Sequence, residues 1–532
     1  MNFGQEPPRL ILSGGKIYPR AGSPATMSGV VVGRGRVEQL LETDVGIPGS
    51  GARIDLQGFV VLPGLTDAHI HLEKYARQLQ RVDCETSTRD ECLRRVGTRA
   101  EATPRGDWIL GHGWNQNDWD RFGTAADLDA VAPHHPVYLT AKSLHAGWAN
   151  SQALRQAGVT ASTTDPPGGV IQRDSSGRPT GIVLEGAMEI LTRALPIPTR
   201  DTTLQELQRA QDGLWRMGIT SVHDFDGPTC FHALQTLYER GDLGLRVLKS
   251  IPRELLPQAA DLGLRSGFGN EWLRLGHVKL FADGALGPRT AAMLAPYEGT
   301  QADVGILLLD REAILEAGIR AGEAGLPLAI HAIGDRANHE VLEGLAALRK
   351  HEAERGWPRR RHRIEHLQLV HPDDMQRPAE LGLVASMQPI HAPSDMLMAD
   401  RHWGSRVQSS YAWQSQRRSG VRLAFGSDAP VEAPNPFLGL HAAVTRRRLD
   451  GSPSPEGWTP HQRLAVQDAL LAYTEGPAYA AGTEARQGRL DPGFAADLVV
   501  LDHDPLTCDA DDLPRIQVRG TMVGGHWAHR DF

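Results

Sequence analysis

The stretch Gly64-Leu65-Thr66-Asp67-Ala68-His69-Ile70-His71-Leu72 carries two histidines at the end of an apolar run. In a β-strand, residues two positions apart point to the same face, so His69 and His71 can reach one metal ion. Asp67 shares that face and could orient a ligand. An exposed strand with two surface histidines would give the same pattern. The stretch predicts a strand that ends in a metal site if further ligands lie nearby.

Five further apolar runs end close to a histidine, a lysine or an aspartate. These residues are His223, Lys279, His331, His366 and Asp428. Longer helical stretches alternate with the strand-like runs, as in a parallel sheet built from βα units. Functional side chains of (β/α)8 barrels gather at the carboxyl ends of the strands, where these residues fall. We therefore predict an α/β fold, a (β/α)8 barrel of the TIM type.

The barrel strands are predicted from the same runs. Seven of them should end at residues 71, 223, 279, 331, 366, about 388 and 428. The run 80–85 is the candidate for strand two, and His223 would then follow strand three. The stretch from residue 85 to His223 is far longer than one βα unit. We therefore expect an inserted α/β segment at about 104–195, after barrel strand 2, with its own strands near 108–111 and 137–140.

Both ends of the chain contain short β-rich runs separated by glycines. At the N-terminus these runs are 10–18 and 29–33, and at the C-terminus they are 496–502 and 516–520. Such runs, bounded by turn residues, are typical of short strands. We expect the two ends to form one small β-sandwich domain from residues 1–60 and 485–532, with the barrel domain at 61–484.

Composition excludes several classes of protein. The chain has 532 residues, a net charge of -8 and 40% hydrophobic residues, which fits a globular protein and gives no reason to expect nucleic acid as a partner. The 4 cysteines include no C-x-x-C pair, so a thiolate zinc site is not expected. The N-terminus lacks a signal-peptide core, and no apolar run is long enough for a membrane helix. We expect a cytoplasmic protein without membrane contacts, and homo-oligomerisation stays open.

Lys279 is the least ordinary of the candidate ligands. It stands between Val278 and Leu280 in an apolar run, where a charged ammonium is costly to bury. Burial lowers the pKa of a lysine and favours the neutral amine, which can react with carbon dioxide to form a carbamate. This anion could bridge two metal ions. The alternative is a lysine that reaches the surface or pairs with a carboxylate.

Alternative interpretations also exist for the other residues. His362 and His366 are four residues apart and could form a zinc pair on a helix, although Arg363 stands where the H-E-x-x-H motif has glutamate. His331 could be a hydrogen-bonded core residue. Asp428, between Gly426 and Pro430, could cap a helix. The interpretation of these residues as metal ligands is favoured because they occur repeatedly at the ends of predicted strands.

At these residues the chain resembles the amidohydrolase superfamily over nearly its whole length. The superfamily pattern is H-x-H on strand one, Lys on strand four, His on strands five and six, and Asp on strand eight, matched here by His69, His71, Lys279, His331, His366 and Asp428. Two flanking runs, 63–69 and 488–500, are also typical. The resemblance implies that one ion is held by His69, His71 and Asp428. The second would be held by His331 and His366, with a carbamate on Lys279 as the bridge.

Within the superfamily the chain is similar to the amidohydrolase-3 group, which includes N-substituted formamide deformylases. The runs that carry this similarity are Lys279-Leu280-Phe281-Ala282-Asp283-Gly284-Ala285-Leu286-Gly287-Pro288-Arg289-Thr290, His145-Ala146-Gly147-Trp148-Ala149-Asn150-Ser151 and Phe425-Gly426-Ser427-Asp428-Ala429-Pro430. The resemblance implies a metal-dependent hydrolase that cleaves a C–N, amide-like bond of a small molecule. Its cofactor would be one or two divalent ions, with zinc expected.

The mechanistic hypothesis is hydrolysis by metal-activated water, with Asp428 as general base and acid. Further candidates, for contacts to the substrate, are His145, His223, Arg289 and His391, and each could instead serve loop packing or a surface ion pair. Two other functions stay open. One is a metal-dependent ester, lactone or organophosphate hydrolase, because the same centre attacks several electrophiles. The other is a non-catalytic ligand-binding barrel.

Overall fold

The computed structural model describes residues 2–25, 27–42, 50–115, 119, 121–142, 145–196 and 199–532. The chain separates into two compact units. The first combines Met1–Tyr75 with Leu207–Phe532, and the second is Ala76–Glu206. Within the described residues, no helix has both the length and the apolar character needed to cross a membrane.

The strands, in chain order, are β1 (Leu10–Ser13), β2 (Lys16–Ile17), β3 (Gly29–Gly33), β4 (Arg36–Leu41), β5 (Ala52–Asp55), β6 (Val60–Pro63), β7 (Leu65–Ile70), β8 (Val82–Asp83), β9 (Ile109–Trp114), β10 (Val137–Ala141), β11 (Ala146–Ala149), β12 (Gly169–Arg173), β13 (Pro179–Glu185), β14 (Ile219–Asp224), β15 (Arg246–Pro252), β16 (Leu273–Phe281), β17 (Leu328–Ala332), β18 (Arg363–His366), β19 (Val384–Met387), β20 (Arg422–Phe425), β21 (Leu498–Leu501), β22 (Val518–Val523) and β23 (His526–Arg530).

The α-helices are α1 (Leu72–Gln78), α2 (Arg89–Ala102), α3 (Ala125–Val131), α4 (Ser151–Gln156), α5 (Met188–Ala194), α6 (Arg200–Trp215), α7 (Pro228–Arg240), α8 (Leu256–Asp261), α9 (Arg311–Glu323), α10 (Asp335–Glu354), α11 (Arg377–Glu380), α12 (His391–Trp403), α13 (Trp413–Arg418), α14 (Pro436–Thr445), α15 (Val466–Ala472) and α16 (Glu475–Ala481).

The first unit contains the predicted barrel. Eight parallel strands, β7 and β14 to β20, follow one another in chain order around the sheet. Backbone hydrogen bonds close the circle between the last strand and the first: the Asp428 N–H donates to the His69 carbonyl (2.7 Å), and the His71 N–H donates to the Ala429 carbonyl (2.9 Å). The prediction of a TIM-type barrel is confirmed.

Short apolar runs form the barrel strands because both faces of a parallel sheet are covered. β17, with the sequence LAIHA, is buried along nearly its whole length. Helices α9 and α10 flank it in sequence and contribute Ile314, Val341 and Leu345 to the same hydrophobic core. Strands buried in this way read as continuous apolar runs rather than as alternating ones. The polar residues that end these runs therefore stand out in the sequence.

Two strands were assigned wrongly from the sequence. The run 80–85 is not barrel strand two, since Val82 and Asp83 pair with Gly111 and His112 of β9 in another sheet. The second barrel strand is β14, which carries His223 on the strand itself. The third is β15, which the sequence analysis missed. The long insertion therefore follows barrel strand one and not strand two.

β15 was not predicted as a strand because charged residues interrupt its apolar run. Its sequence, RVLKSIP, includes Arg246 and Lys249, yet both side chains are buried. Arg246 donates to both carboxylate oxygens of Asp497, at 2.6 and 3.0 Å. The ammonium of Lys249 lies 2.7 Å from the Asp224 carboxylate. Partners from distant parts of the chain thus make burial of these charges possible.

Strands from both chain ends form two sheets beside the barrel. The four-stranded sheet has the order β4-β3-β1-β5, and the five-stranded sheet has the order β2-β6-β21-β22-β23. The C-terminal strand β21 lies antiparallel to β6, with Leu498 opposite Pro63. Leu12, Val32, Leu498 and Met522 pack into one core between them. The expectation of a small β-sandwich from both ends is confirmed, whereas its boundaries at 60 and 485 stay predictions.

The second unit, Ala76–Glu206, is built on a mixed six-stranded sheet with the order β12-β13-β11-β10-β9-β8. The predicted strands near 108–111 and 137–140 correspond to β9 and β10. Trp114, Trp148 and Leu139 lie in its core. Thr124 caps α3 in a reciprocal capping box with Asp127, which fixes the start of that helix. The extent predicted for the inserted segment, about 104–195, stays a prediction.

Candidate metal centre

Side chains from the first and last barrel strands meet at the carboxyl end of the barrel. His69 and His71 turn to the same side, as their spacing predicts. The Nε2 atoms of these histidines lie 3.5 and 3.6 Å from the Oδ1 atom of Asp428. The loop that follows β20 carries Asp428, and the backbone bonds that close the barrel hold it beside β7. The pair of histidines therefore faces a carboxylate.

His366 joins this group from the end of β18. One potential ligand atom from each of His69, His366 and Asp428 lies within 4.8 Å of the others. The backbone is unusual at two of these residues, since φ is 72° at His366 and 59° at Asp428. Positive φ is uncommon for residues other than glycine, and such conformations cluster at functional sites.

Hydrogen bonds fix the ring orientation of three histidines. The Nδ1 atom of His69 lies 2.6 Å from Glu365 Oε2, that of His71 lies 3.1 Å from Asp226 Oδ1, and that of His366 lies 2.9 Å from Gln388 Oε1. Because each partner atom is an acceptor, each Nδ1 carries the hydrogen and each Nε2 keeps its lone pair. This is the arrangement in which metal-binding histidines are commonly held.

His69 is anchored inside the barrel by a buried ion pair. Glu365 and Arg363 are both fully buried, with the guanidinium Nη2 3.0 Å from Glu365 Oε2. Burial alone raises the pKa of Glu365, but the charges of Arg363 and Lys279 outweigh it and hold that pKa below its usual value. Burial also lowers the pKa of His69 well below its ordinary value. The ring is therefore neutral, as a metal ligand must be.

His71 is anchored at the rim by Asp226, which follows β14. The Oδ2 atom of Asp226 accepts the backbone N–H groups of Glu73 (2.6 Å) and Lys74 (3.2 Å) in the first turn of α1. Its backbone carbonyl accepts a hydrogen bond from Lys249 Nζ. Burial raises the pKa of Asp226, but the bond to His71 and the charge of Lys249 bring it below its usual value.

Lys279 lies on β16 and is almost fully buried. Its Nζ atom has no hydrogen-bond partner within the part of the chain that the structure describes. The rings of Phe225 and Phe281 lie 4.4 and 4.9 Å from it, measured to their centroids. Burial lowers the pKa of Lys279 to about 8. About a tenth of the amine is therefore neutral at pH 7.

His331, at the end of β17, is oriented differently from the other histidines. Its Nε2 atom lies 2.9 Å from the Gly284 carbonyl, so this nitrogen donates and Nδ1 keeps the lone pair. The His331 ring lies 4.5 Å from the His366 ring, measured between centroids. Burial lowers the pKa of His331 to about 3, which keeps the ring neutral.

These side chains fit a divalent metal ion. They supply neutral imidazoles and a carboxylate, which are the nitrogen and oxygen ligands that zinc accepts. The Nε2 atom of His69 is buried and has no hydrogen-bond partner among the described residues. A buried polar atom without a partner is unfavourable, and a bound cation would satisfy it. The donor set thus supports a metal at His69, His366 and Asp428, with His71 beside them.

Two further residues act on Asp428 and its surroundings. Burial raises the pKa of Asp428, and the charge of His391 is the largest effect that opposes this rise. His391 begins α12, and its Nε2 atom is buried without a hydrogen-bond partner in the described residues. Asp67 accepts hydrogen bonds from the backbone N–H groups of His69 (3.0 Å) and Ser427 (3.1 Å). It therefore links β7 to the Asp428 loop rather than orienting a histidine ring.

The remaining candidates have other partners. His223 is buried, and its Nδ1 atom accepts a hydrogen bond from Arg363 at 2.8 Å, so it supports the barrel interior. Arg289 lies in the loop after β16, with its Nε atom 3.7 Å from Asp303. His145 belongs to the second unit, where its exposed ring lies 3.0 Å from Glu185. Their contacts to a substrate stay predictions.

The interpretation of His362 and His366 as a helical zinc pair is wrong. His362 directly precedes β18, and His366 ends this strand, so the two are not on a helix. The Nδ1 atom of His362 accepts the Leu328 N–H at 3.0 Å, and its Nε2 atom lies 3.1 Å from Glu352. Both ring nitrogens are thus already used.

Sequence reasoning missed the residues that orient the histidines. These are Glu365, Asp226 and Gln388. A usable signal existed, because Glu365 precedes His366, Asp226 follows β14, and Gln388 directly follows β19. Each is a polar residue at or near the carboxyl end of a barrel strand, which is where the histidines were expected.

Comparisons with known proteins identify the family of this chain. The N-substituted formamide deformylase of Arthrobacter pascens is 30% identical, over 93% of this chain and 94% of that protein. The Arabidopsis thaliana protein LONG AFTER FAR-RED 3 is 34% identical, over 97% of this chain and 91% of its own. An uncharacterized metal-dependent hydrolase from Pyrococcus furiosus has a similar structure, with a TM-score of 0.76 and 30% identity, covering 94% of this chain and 100% of that one. The sequence pattern of the amidohydrolase family matches residues 52–529 of this chain. The chain belongs to the amidohydrolase family.

Proposed function

We propose that this protein is a metal-dependent hydrolase that cleaves a carbon–nitrogen bond of a small molecule. The observation that carries the proposal is the group of His69, His366 and Asp428, whose ligand atoms lie within 4.8 Å of one another. The Nε2 atom of His71 lies 3.6 Å from the same carboxylate. We assign His69, His71, His366 and Asp428 as metal ligands, with zinc as the expected ion.

A divalent ion bound here would lower the pKa of a water molecule and polarise the substrate carbonyl. The chain itself supplies the proton transfers. The Asp428 carboxylate accepts a proton from water as the water oxygen bonds to the carbonyl carbon. It then donates this proton to the nitrogen as the C–N bond breaks, so that an acid and an amine are formed.

We assign Lys279 and His331 to a second ion, without the His366 that the resemblance implies for it, because His366 lies with His69 and Asp428. The neutral Lys279 amine can add to carbon dioxide and lose a proton, which gives an anionic carbamate able to bridge two ions. The unpaired Nζ and the lowered pKa of about 8 support this role. His331 would contribute Nδ1, since its Nε2 already donates to the Gly284 carbonyl.

The preference for a C–N bond rests on similarity. The relative from Arthrobacter pascens is named as an N-substituted formamide deformylase, and it is 30% identical over nearly the full length. We therefore propose an N-substituted amide as the substrate. His391 is the candidate for a contact to it, because its Nε2 atom is buried beside the His366 ring without a hydrogen-bond partner among the described residues.

A substrate panel tests the reaction class. Zinc-loaded protein is assayed against N-substituted formamides, longer amides, and esters of matched shape. We expect turnover of amides that is lost on metal chelation and restored by zinc. Asp428→Asn should lower kcat by about 10²–10⁴-fold, the usual contribution of general acid–base catalysis. Turnover of esters alone would contradict the proposed substrate class, and an unimpaired Asp428→Asn would contradict the role of this residue.

A second experiment tests the carbamate. Lys279→Ala should lower activity and the amount of bound metal, and short carboxylic acids should restore part of both by replacing the missing anion. Lys350→Ala is the control and should leave both unchanged, because it removes an exposed lysine of α10 whose ammonium lies 3.9 Å from Glu354. Unchanged metal content and rate in Lys279→Ala would contradict the bridge.

A further inference from the structure

One buried carboxylate joins the loops that follow barrel strands β16 and β17. Asp283 comes just after β16 and is only 1% exposed. Its Oδ2 atom accepts the backbone N–H groups of Ala292 (2.9 Å) and Gly334 (2.8 Å), and its Oδ1 atom accepts that of Ile333 (3.0 Å). Ala292 belongs to the loop after β16, whereas Ile333 and Gly334 follow β17. The carboxylate therefore fixes the two loops against each other.

The peptide unit that follows Gly284 is also held in place. Its N–H group, that of Ala285, donates to Thr290 Oγ1 at 3.0 Å, and the Gly284 N–H donates to the Thr290 carbonyl at 3.2 Å. A Cβ atom added to Gly284 would lie 2.6 Å from the Thr290 Cβ, so a larger residue does not fit without a shift of the loop. Because a peptide unit is planar, these bonds also set the direction of the Gly284 carbonyl.

The Gly284 carbonyl is the partner of His331. It accepts the hydrogen bond from His331 Nε2 at 2.9 Å, which leaves the lone pair on Nδ1. Asp283 Oδ1 lies 3.6 Å from the same Nε2 atom, beyond hydrogen-bonding distance. Asp283 therefore acts on the ring through its neighbours. It precedes Gly284 in the chain, and it binds the N–H groups of Ile333 and Gly334, which follow His331. One side chain thus holds the segments that carry both partners of this bond.

We propose that Asp283 is a positioning residue of the metal centre, which sets the orientation of His331 by fixing the Gly284 carbonyl. The inference rests on the proposed function in one respect, the assignment of His331 Nδ1 to the second ion. Without the bond to Gly284, the ring can rotate or carry its hydrogen on Nδ1, and neither state presents the Nδ1 lone pair to an ion. Asp283 therefore controls the affinity for the second ion from outside the ligand set.

Asp335 offers a matched control. It is also a buried carboxylate that binds the loop after β16, since its Oδ1 atom accepts the backbone N–H groups of Leu294 (2.8 Å) and Arg336 (2.9 Å). Neither of these bonds involves His331 or Gly284. Asp335→Asn therefore perturbs the same loop by the same chemical change, but it leaves the hydrogen bond of the His331 ring in place.

The first test measures zinc binding by the full chain in competition with a chelator, with bicarbonate supplied so that the carbamate can form. In Asp283→Asn, an amide NH2 group replaces one carboxylate oxygen and faces at least one backbone N–H group, so the link between the loops weakens. We expect the affinity for the second ion to fall by about 10–100-fold and that for the first to change by less than about threefold. Asp335→Asn should leave both affinities unchanged. Wild-type affinities in Asp283→Asn, or equal losses in the two variants, would overturn the proposal.

A second test does not depend on a bound metal. NMR of the metal-free full chain with ¹⁵N-labelled histidine reports which ring nitrogen carries the hydrogen, and His331→Gln identifies the signals of His331. In the wild type, His331 should carry the hydrogen on Nε2 alone. Asp283→Asn should give a mixture of the two forms, whereas Asp335→Asn should resemble the wild type.

The two tests separate this proposal from the proposed function. A wild type that binds a single zinc ion would contradict the second ion, but the NMR signals of His331 would still decide the role of Asp283. Unchanged signals in Asp283→Asn would overturn that role. Thermal unfolding verifies that each variant is folded. If Asp283→Asn does not fold, Gly284→Ala displaces the carbonyl by its contact with Thr290, and unchanged His331 signals in that variant would likewise overturn the proposal.

Discussion

His69 and His71 come from one strand and face one carboxylate, yet two different regions of the barrel hold their rings. His69 is fixed by Glu365, which β18 supplies from across the barrel and which Arg363 neutralises in the interior. His71 is fixed at the rim by Asp226, which also binds the first turn of α1. One anchor is part of the barrel core, and the other is part of a loop and a helix start.

This difference shows how the stability of the barrel and the geometry of the site are connected. Removal of the interior anchor, Glu365, leaves the buried charge of Arg363 unpaired. Both the stability of the fold and the affinity for metal should therefore fall. The rim anchor is held largely by backbone N–H groups, which a neutral side chain can also satisfy. Its loss should affect the metal site more than the fold.

The largest effect is expected from Glu365→Gln. The change leaves Arg363 buried without its counter-charge, and breaking a buried ion pair in this way costs about 3–5 kcal/mol. We expect this loss in the free energy of unfolding, measured by urea denaturation, together with reduced zinc affinity in a chelator competition. If Glu365→Gln were as stable as the wild type, other groups would be sufficient partners for Arg363. The two anchors would then not differ in their effect on stability.

Asp226→Asn should separate metal binding from stability. Loss of a carboxylate that orients a metal-binding histidine typically costs about 10–100-fold in metal affinity. The asparagine oxygen can still accept the N–H groups of Glu73 and Lys74, so the urea midpoint should change little. The same chelator competition and urea series provide the measurement. A fall in stability as large as that of Glu365→Gln would contradict a rim anchor of this kind.

Gln388→Leu tests the third histidine, His366, and should have a smaller effect. The bond from His366 Nδ1 to Gln388 Oε1 is between neutral groups, which contribute about 0.5–1.5 kcal/mol. We expect less than about a tenfold loss in zinc affinity. Gln416→Leu, which removes a buried amide on α13, is the control and should leave zinc affinity unchanged. Equal losses in both variants would indicate a general effect of buried amides.

Glu352→Gln should leave metal binding unchanged and affect stability in a pH-dependent way. Glu352 contacts His362 just as Glu365 contacts His69, but His362 is not in the ligand group. Burial raises its pKa, but hydrogen bonds from His362 and Arg349 outweigh this and lower it from 4.5 to about 2. Its stabilising contribution is therefore complete above pH 4.5 and is lost as the pH falls toward 2.

Thermal unfolding of Glu352→Gln and the wild type measures this dependence. The variant should be less stable by about 1.5–3 kcal/mol at pH 7, the usual contribution of hydrogen bonds to a charged group. The difference should narrow as the pH falls below 4.5. A constant difference across the acid range would show that the carboxylate charge is not responsible.

The sequence predicts the strand ends of this barrel better than its interior. The apolar runs before His331 and Asp428 are recognisable because both faces of a barrel strand are covered. By contrast, β15 contains Arg246 and Lys249, whose partners, Asp497 and Asp224, lie elsewhere in the chain. A local pattern cannot reveal that these charges are neutralised after folding.

The same limit applies to the candidate site. The spacing of His69 and His71 indicates a shared face, and the structure brings both Nε2 atoms to Asp428. The anchors, however, depend on which strands become neighbours across the barrel. Glu365 reaches His69 from another strand, and the run 80–85 joined a different sheet because Val82 and Asp83 pair with β9. A single apolar run does not indicate which distant strand will become its neighbour.

The most direct test is the metal content of the purified protein, measured by elemental analysis after supply of zinc and bicarbonate. We expect at least one zinc ion per chain in the wild type. The zinc content should be lower in Asp226→Asn and Glu365→Gln and unchanged in Glu352→Gln. Absence of bound metal from the wild type after this treatment would contradict the proposed centre and, with it, the proposed hydrolase.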